Sequence, residues 1–143
     1  MRIHLTNHYL VPLIPFLKGM KLKGERSRAR SKFLALAMEA YVALHESEVE
    51  LLRDYAVLDD AGDPKAAADG SYTLREDAVK DYLAEREKLF NETAEIEGGT
   101  YAGHMALMRQ VLLEYDGELD GEDAALYDAL CDAFERGDDD SDK

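Results

Sequence analysis

The chain contains one cysteine, Cys131, no tryptophan and only three prolines in 143 residues. A single cysteine cannot build an internal disulfide framework, which removes the small stapled secreted folds. Long hydrophobic runs are missing too. The most apolar stretch, Leu10 to Leu17, is far below the roughly 18 residues a membrane span requires, and it holds two of the prolines, Pro12 and Pro15. The opening residues do not have the basic, apolar, small-residue build of a secretory leader, so a cytoplasmic location is expected.

Basic residues are few and unevenly placed. Lys and Arg total 17 against 31 Asp and Glu, a net charge of -14. Through Leu34 there are eight basic residues against the single acid Glu25, a net of +7; the remainder holds nine basic against thirty acidic groups, a net of -21. The acidic excess keeps the chain soluble and speeds encounter with a basic partner, while the basic opening either packs beside its own acidic helices or touches phosphate.

Helical patterning is abundant. From Arg26 to Leu58 the positions Leu34, Ala37, Tyr41, Leu44, Glu48, Leu51, Tyr55 and Leu58 recur at spacings of three and four, which draws one largely apolar stripe along a helix. No glycine or proline interrupts the run after Gly24, and Glu39, Glu46, Glu50 and Arg53 take the opposite face. Such a helix would be roughly 50 Å long at about 1.5 Å per residue, so it needs a neighbour to cover its stripe. Thr73-Leu74-Arg75-Glu76 matches a capping box that opens a second helix, with Val79, Tyr82, Leu83, Leu89 and Phe90 on its apolar face, ending near Glu92. The two form an antiparallel hairpin, an arm spanning about 26–92, joined by an Asp- and Gly-rich loop after Leu58.

The flanks are shorter elements. Arg2 to Thr6 and Thr93 to Glu97 both alternate and are expected to pair, which sets cationic side chains opposite anionic ones. Thr6 or Asn7 caps a short helix that Pro15 kinks or breaks. Thr100 and Asp120 cap two later helices, with faces Tyr101, Met105, Met108, Val111, Leu112, Tyr115 and Leu126, Ala129, Leu130, Ala133, Phe134; Gly137 closes the last. The expected fold is mainly α: a long antiparallel helical hairpin plus a smaller helical part with a two-stranded β pair (2–6 with 93–97). It forms one domain over 1–137, followed by a disordered acidic tail, 138–143.

Catalytic signatures are lacking. His4, His8, His45 and His104 have no Cys or carboxylate partners at metal-ligand spacing, and His104 reads as a half-buried structural histidine. Ser27, Ser31 and Cys131 sit in no nucleophile motif. Asp59-Asp60-Ala61-Gly62-Asp63 lacks the ligand spacing of a calcium loop and reads as a turn. Acid pairs such as Glu114 with Asp116, or Asp120 with Glu122 and Asp123, are what acid-rich helix ends provide. No enzyme activity, metal or cofactor is therefore expected. The candidate partner-binding residues are Glu39, Glu46, Glu50, Asp54, Asp59 and Asp60; candidate phosphate contacts are Lys21, Lys23, Arg26, Arg28, Arg30 and Lys32.

Several short segments carry a family resemblance: Leu5-Thr6-Asn7; Leu22-Lys23-Gly24 with Ser27-Arg28 and Arg30-Ser31-Lys32-Phe33; Leu58 through Lys65; Glu95 through Tyr101; and Leu119 through Glu122 with Tyr127-Asp128. Together they resemble an uncharacterised phage and prophage protein family, a domain of unknown function. The Ala-rich loop and the two early prolines depart from that pattern. The resemblance implies a small phage-encoded protein in the host cytoplasm and brings no catalytic residues. Two uses follow. One is an interaction protein, an acidic anti-defence inhibitor that mimics nucleic acid in the groove of a host nucleic-acid-binding enzyme. The other is a virion or assembly component that binds a phage structural protein through the hairpin. A second copy of the chain is a further partner, no membrane is expected, and nucleic-acid binding through 21–32 ranks last.

Overall fold

The computed structural model describes residues 1–98, 101 and 103–141, the last four by backbone alone. In chain order it contains β1 (Arg2–Thr6), α1 (Leu10–Lys18), α2 (Gly24–Tyr55), α3 (Val79–Asn91), β2 (Thr93–Glu97), α4 (His104–Leu113) and α5 (Gly121–Ser141). The mainly helical class and the β pair are as the sequence indicates. The chain divides into two compact units, Met1–Tyr41 with Thr93–Lys143, and Val42–Glu92. Among the described residues no helix is long and apolar enough to cross a membrane.

In the first unit β1 and β2 pair antiparallel, with Arg2 opposite Glu97, His4 opposite Glu95 and Thr6 opposite Thr93. The Gly98 N–H donates to the Met1 carbonyl at 2.9 Å. That bond sets the phase of the ladder: Ile3 with Ile96 and Leu5 with Ala94 are the hydrogen-bonded pairs, and the alternate pairs are not. Side chains of the latter approach more closely, and they are where Arg2 meets Glu97 (3.5 Å) and His4 meets Glu95 (3.3 Å) on the open face. Ile3, Leu5 and Ile96 turn the other way and are buried.

Beneath them lie Leu10, Leu13 and Leu17 of α1, Ala29, Phe33 and Ala37 of α2, Met105, Met108, Val111 and Leu112 of α4, and Leu126, Leu130, Ala133 and Phe134 of α5. Phe33 and Phe134 meet edge to face at 5.3 Å, a contact worth about 0.5–1.5 kcal/mol beyond its buried area.

Several expected details are corrected. A short 3-10 turn, Asn7–Tyr9, precedes α1, and Thr6 supplies no side-chain cap. Pro15 lies inside α1 and does not break it; the residue is exposed, so water can serve the carbonyl its missing N–H would have met. Arg30 closes this region by donating to the carbonyls of Leu17 (2.8 Å) and Met20 (2.7 Å). Tyr101 is exposed, and Thr100 lies outside the described residues. Gly137 is not a helix end: α5 continues to Ser141, and Gly137 is buried against β1. The helix thus takes in 138–141, where a disordered tail was expected; 142–143 lie outside the described residues.

The second unit is thin. Only Leu44, Ala56, Ala78 and Tyr82 of its apolar residues are buried among the described residues. Tyr55 packs edge to face on Tyr82 at 6.2 Å, and Arg86 reaches Glu48 at 3.3 Å. Those two contacts pair later residues of α2 with earlier residues of α3, the antiparallel arrangement expected. Leu51 is half-buried on the same stripe, whereas Leu58, past the helix end, is exposed.

The connection is more ordered than a loop. Ala56 bridges Leu74, Leu58 bridges Pro64 and Ala66 bridges Tyr72, all antiparallel. Thr73 takes part through its carbonyl, which accepts the Val57 N–H at 2.7 Å. This extended pairing overrides the capping box: the chain passes through a 3-10 turn at Glu76–Ala78 before α3, with no side-chain cap. The apolar face of α3 is also rotated from expectation, with Tyr82 buried and Val79 and Leu83 exposed.

Candidate functional site

Half of the basic segment's candidate residues are occupied by its own fold. Arg26 pairs with Glu114, which raises the guanidinium pKa and holds the carboxyl below its ordinary range, chiefly through the hydrogen bond between them. Arg30 is committed to backbone carbonyls. The Lys32 ammonium lies 5.3 Å from the centre of the Tyr101 ring, a cation–π placement. Lys21, Lys23 and Arg28 remain exposed. Of the six candidate phosphate contacts, three therefore have an intramolecular role. Sequence spacing could not show this, because Glu114 and Tyr101 are supplied by segments far along the chain.

The acidic candidates behave differently. Glu39, in the first unit, is exposed. In the second unit Glu46, Glu50 and Asp54 are all exposed on α2 and recur every fourth residue, so their carboxylates rise in steps of roughly 6 Å along one face. None of these three carboxylates makes an ion pair among the described residues. Of the cations nearby on the chain, Arg86 reaches Glu48, Lys88 reaches Glu85 and Arg75 donates to the Asp54 backbone carbonyl at 3.5 Å, while the exposed Arg53 shares a notch with Glu50 and Asp54 without forming an ion pair among the described residues. Residues 42–92 hold 14 acidic and 6 basic residues, a net of -8. Shallow notches flank the stripe, one lined by Ala43, His45, Ser47 and Val49, the other by Arg53 and Pro64.

Asp59 has a different task. Its Oδ1 accepts the N–H groups of Ala61 (2.9 Å) and Asp63 (3.0 Å), which makes it the keystone of the turn. Asp60 stays exposed on that turn. Asp69 plays the same part in the next turn, accepting from the Ser71 amide and hydroxyl, and these bonds lower its pKa.

Among the described residues no three His, Cys, Asp or Glu side chains are placed to hold a metal ion. His104 is half-buried, its ring 5.3 Å from that of Tyr101, and its Nδ1 has no hydrogen-bond partner among the described residues. The gap beside it is lined by Ala29, Lys32, Phe33, Leu36, Tyr101 and Met105; its other polar groups, Lys32 and Tyr101, are placed against each other as a cation–π pair. Cys131 stands next to Tyr127, whose hydroxyl donates to the Leu112 carbonyl; burial pushes the thiol pKa up, away from the reactive thiolate.

Compared with known proteins, the chain matches no family model, no curated protein and no solved structure.

Proposed function

We propose that this protein is a non-catalytic protein–protein interaction module, encoded by a phage or prophage and acting in the host cytoplasm. In this reading it is an acidic inhibitor that offers carboxylates to the basic groove of a host nucleic-acid-binding enzyme. The observation that carries the proposal is the exposed row Glu46, Glu50 and Asp54, left without cationic partners in a unit of net charge -8. A fold that engages Arg26, Arg30 and Lys32 internally, yet leaves this row open, carries its larger excess of free charge on the acidic side. Such an excess steers a basic partner and raises the rate of encounter. The phage assignment is supported by the short segments that resemble the phage and prophage family.

A second reading has its own observation. Val79 and Leu83 are exposed one turn apart on α3, which suits a virion or assembly component binding a phage structural protein through apolar contact.

Salt separates the two. Tagged protein would be used to recover partners from host lysate at about 50 and 300 mM NaCl, across which the Debye length shrinks from near 14 to near 6 Å. The inhibitor reading expects a nucleic-acid enzyme whose capture falls steeply with salt and is lost in the variant carrying Glu46→Lys, Glu50→Lys and Asp54→Lys. Recovery of only structural phage proteins, indifferent to salt, would replace it with the second reading. Direct retention of DNA or RNA in a gel shift, abolished by Lys21→Glu with Arg28→Glu, would overturn both.

A further inference from the structure

A two-stranded sheet has two free edges, and this fold treats them differently. With Met1 and Gly98 forming a hydrogen-bonded pair, the outward-pointing backbone groups on β1 belong to Arg2, His4 and Thr6, and those on β2 to Thr93, Glu95 and Glu97. On the β1 side α5 closes in, so near that a Cβ on Gly137 would lie 2.7 Å from the Arg2 carbonyl oxygen. Among the described residues of the first unit, no helix packs on β2 as extensively as α5 does on β1. The outward N–H and C=O groups of Thr93, Glu95 and Glu97 make no hydrogen bond among the described residues.

The side chains along this edge are open as well. Glu95 and Glu97 are 60% and 70% exposed, even with His4 and Arg2 across the ladder. Ala94 points to the covered face but is only half-buried, whereas its ladder partner Leu5 is buried. The covered face is therefore partly open beside Ala94, where a further apolar side chain can pack, and closed at Ile96.

An unpaired strand edge is a template for a further strand, and its side chains decide which strand is accepted. A second copy pairing through the same edge would set Glu95 and Glu97 against carboxylates, which is unfavourable. The chain itself displays the pattern that fits: β1 alternates Arg2 and His4 toward the acids with Ile3 and Leu5 toward the core. We infer that the outer edge of β2 is a docking edge for an extended segment of another protein, one in which Lys or Arg alternates with Val, Ile or Leu. Main-chain hydrogen bonds to Thr93, Glu95 and Glu97 hold the segment, the carboxylates of Glu95 and Glu97 select its basic residues, and the open strip beside Ala94 takes an apolar one. This edge lies in the first unit and does not depend on the acidic row at residues 46–54.

The test uses the full chain and a capped synthetic peptide, Lys-Val-Arg-Ile-Lys-Val-Arg, followed by amide hydrogen exchange. At saturation, exchange at Thr93, Glu95 and Glu97 should slow by about tenfold or more, while Ala94 and Ile96, already bonded to β1, change little. Glu95→Pro removes an outward N–H that the ladder does not use, so the fold should keep its melting temperature while peptide affinity drops about tenfold or more. The pair Glu95→Lys with Glu97→Lys should weaken binding similarly, and it decides the matter if the proline variant fails to fold. Glu46→Lys with Glu50→Lys should leave binding unchanged. Failure of the wild-type chain to bind the peptide, protection at other amides, or undiminished binding in a folded edge variant would each overturn the inference.

Discussion

The carbonyl oxygen of Arg2 and the α-carbon of Gly137 are in such close approach that a methyl group on the latter would stand 2.7 Å from the former, with Ile3 Cγ2 at 3.1 Å. α5 can lie against β1 only because residue 137 has no side chain. Gly137→Ala should destabilise the protein by about 2 kcal/mol, since overpacking against backbone outweighs the roughly 1 kcal/mol that alanine gains over glycine inside a helix. Urea unfolding measures the difference. A variant as stable as the wild type would mean that the helix does not pass this close to the strand.

Arg28 and Arg30 are two residues apart and should respond in opposite ways. Arg30 is half-buried and donates to two carbonyls, so Arg30→Met should cost roughly 2 kcal/mol: the Met20 carbonyl loses this donor, while the Leu17 carbonyl keeps the Met20 N–H. Arg28 is exposed and Arg28→Met should fall within about 0.5 kcal/mol of wild type. Equal effects in thermal melts would refute the structural assignment of Arg30.

The sparse packing of residues 42–92 should show in hydrogen exchange. With few buried apolar side chains, amides of α3 should open at lower free energy than those of α5, whose Leu126, Leu130 and Phe134 are buried. Tyr82→Ala removes the partner of Tyr55 and should cost about 3 kcal/mol locally, with protection in α3 lost before that in α5. Uniform loss across both helices would contradict it.

Alkaline pH should weaken the fold through the Cys131 thiol. Burial raises its folded-state pKa above the unfolded value, so stability is unaffected below the ordinary thiol range and falls as pH rises from there through the raised pKa. The Tyr127 phenol, also raised chiefly by burial, adds to the decline at higher pH. Cys131→Ala should flatten the first part of the decline in melting temperature. Alkylation of Cys131 by iodoacetamide should likewise lag behind that of the unfolded chain at pH 8–9.

Much of the fold was legible in residue order because it rests on short-range periodicity. The alternation in Arg2–Thr6 and Thr93–Glu97, with charges of opposite sign, gives the pairing and its register. The three-four spacing of Leu44, Glu48, Leu51 and Tyr55 gives the inner side of the arm. What escaped are features set by distant residues. Thr73 reads as a cap from its neighbours alone, but the Val57 amide claims its carbonyl. Gly137 reads as a helix end, but it serves a contact with the opposite end of the chain. Among the site residues, the exposed carboxylates Glu46, Glu50 and Asp54 were identifiable by helix face, whereas Asp59 could be separated from Asp60 only by seeing which oxygen holds the turn.

The separation of 95 residues between Arg2 and Glu97 bears on how the protein is made. At a synthesis rate of roughly 5–20 residues per second, the first strand emerges several seconds before its mate exists. During that wait the apolar residues Ile3 and Leu5 have no native cover, while the contacts of residues 42–92 are near in sequence and can form at once. In newly made chains Ile3 and Leu5 are thus open to chaperones and proteases while residues 42–92 can already fold, and the two gain their cover only once β2 and α5 have followed.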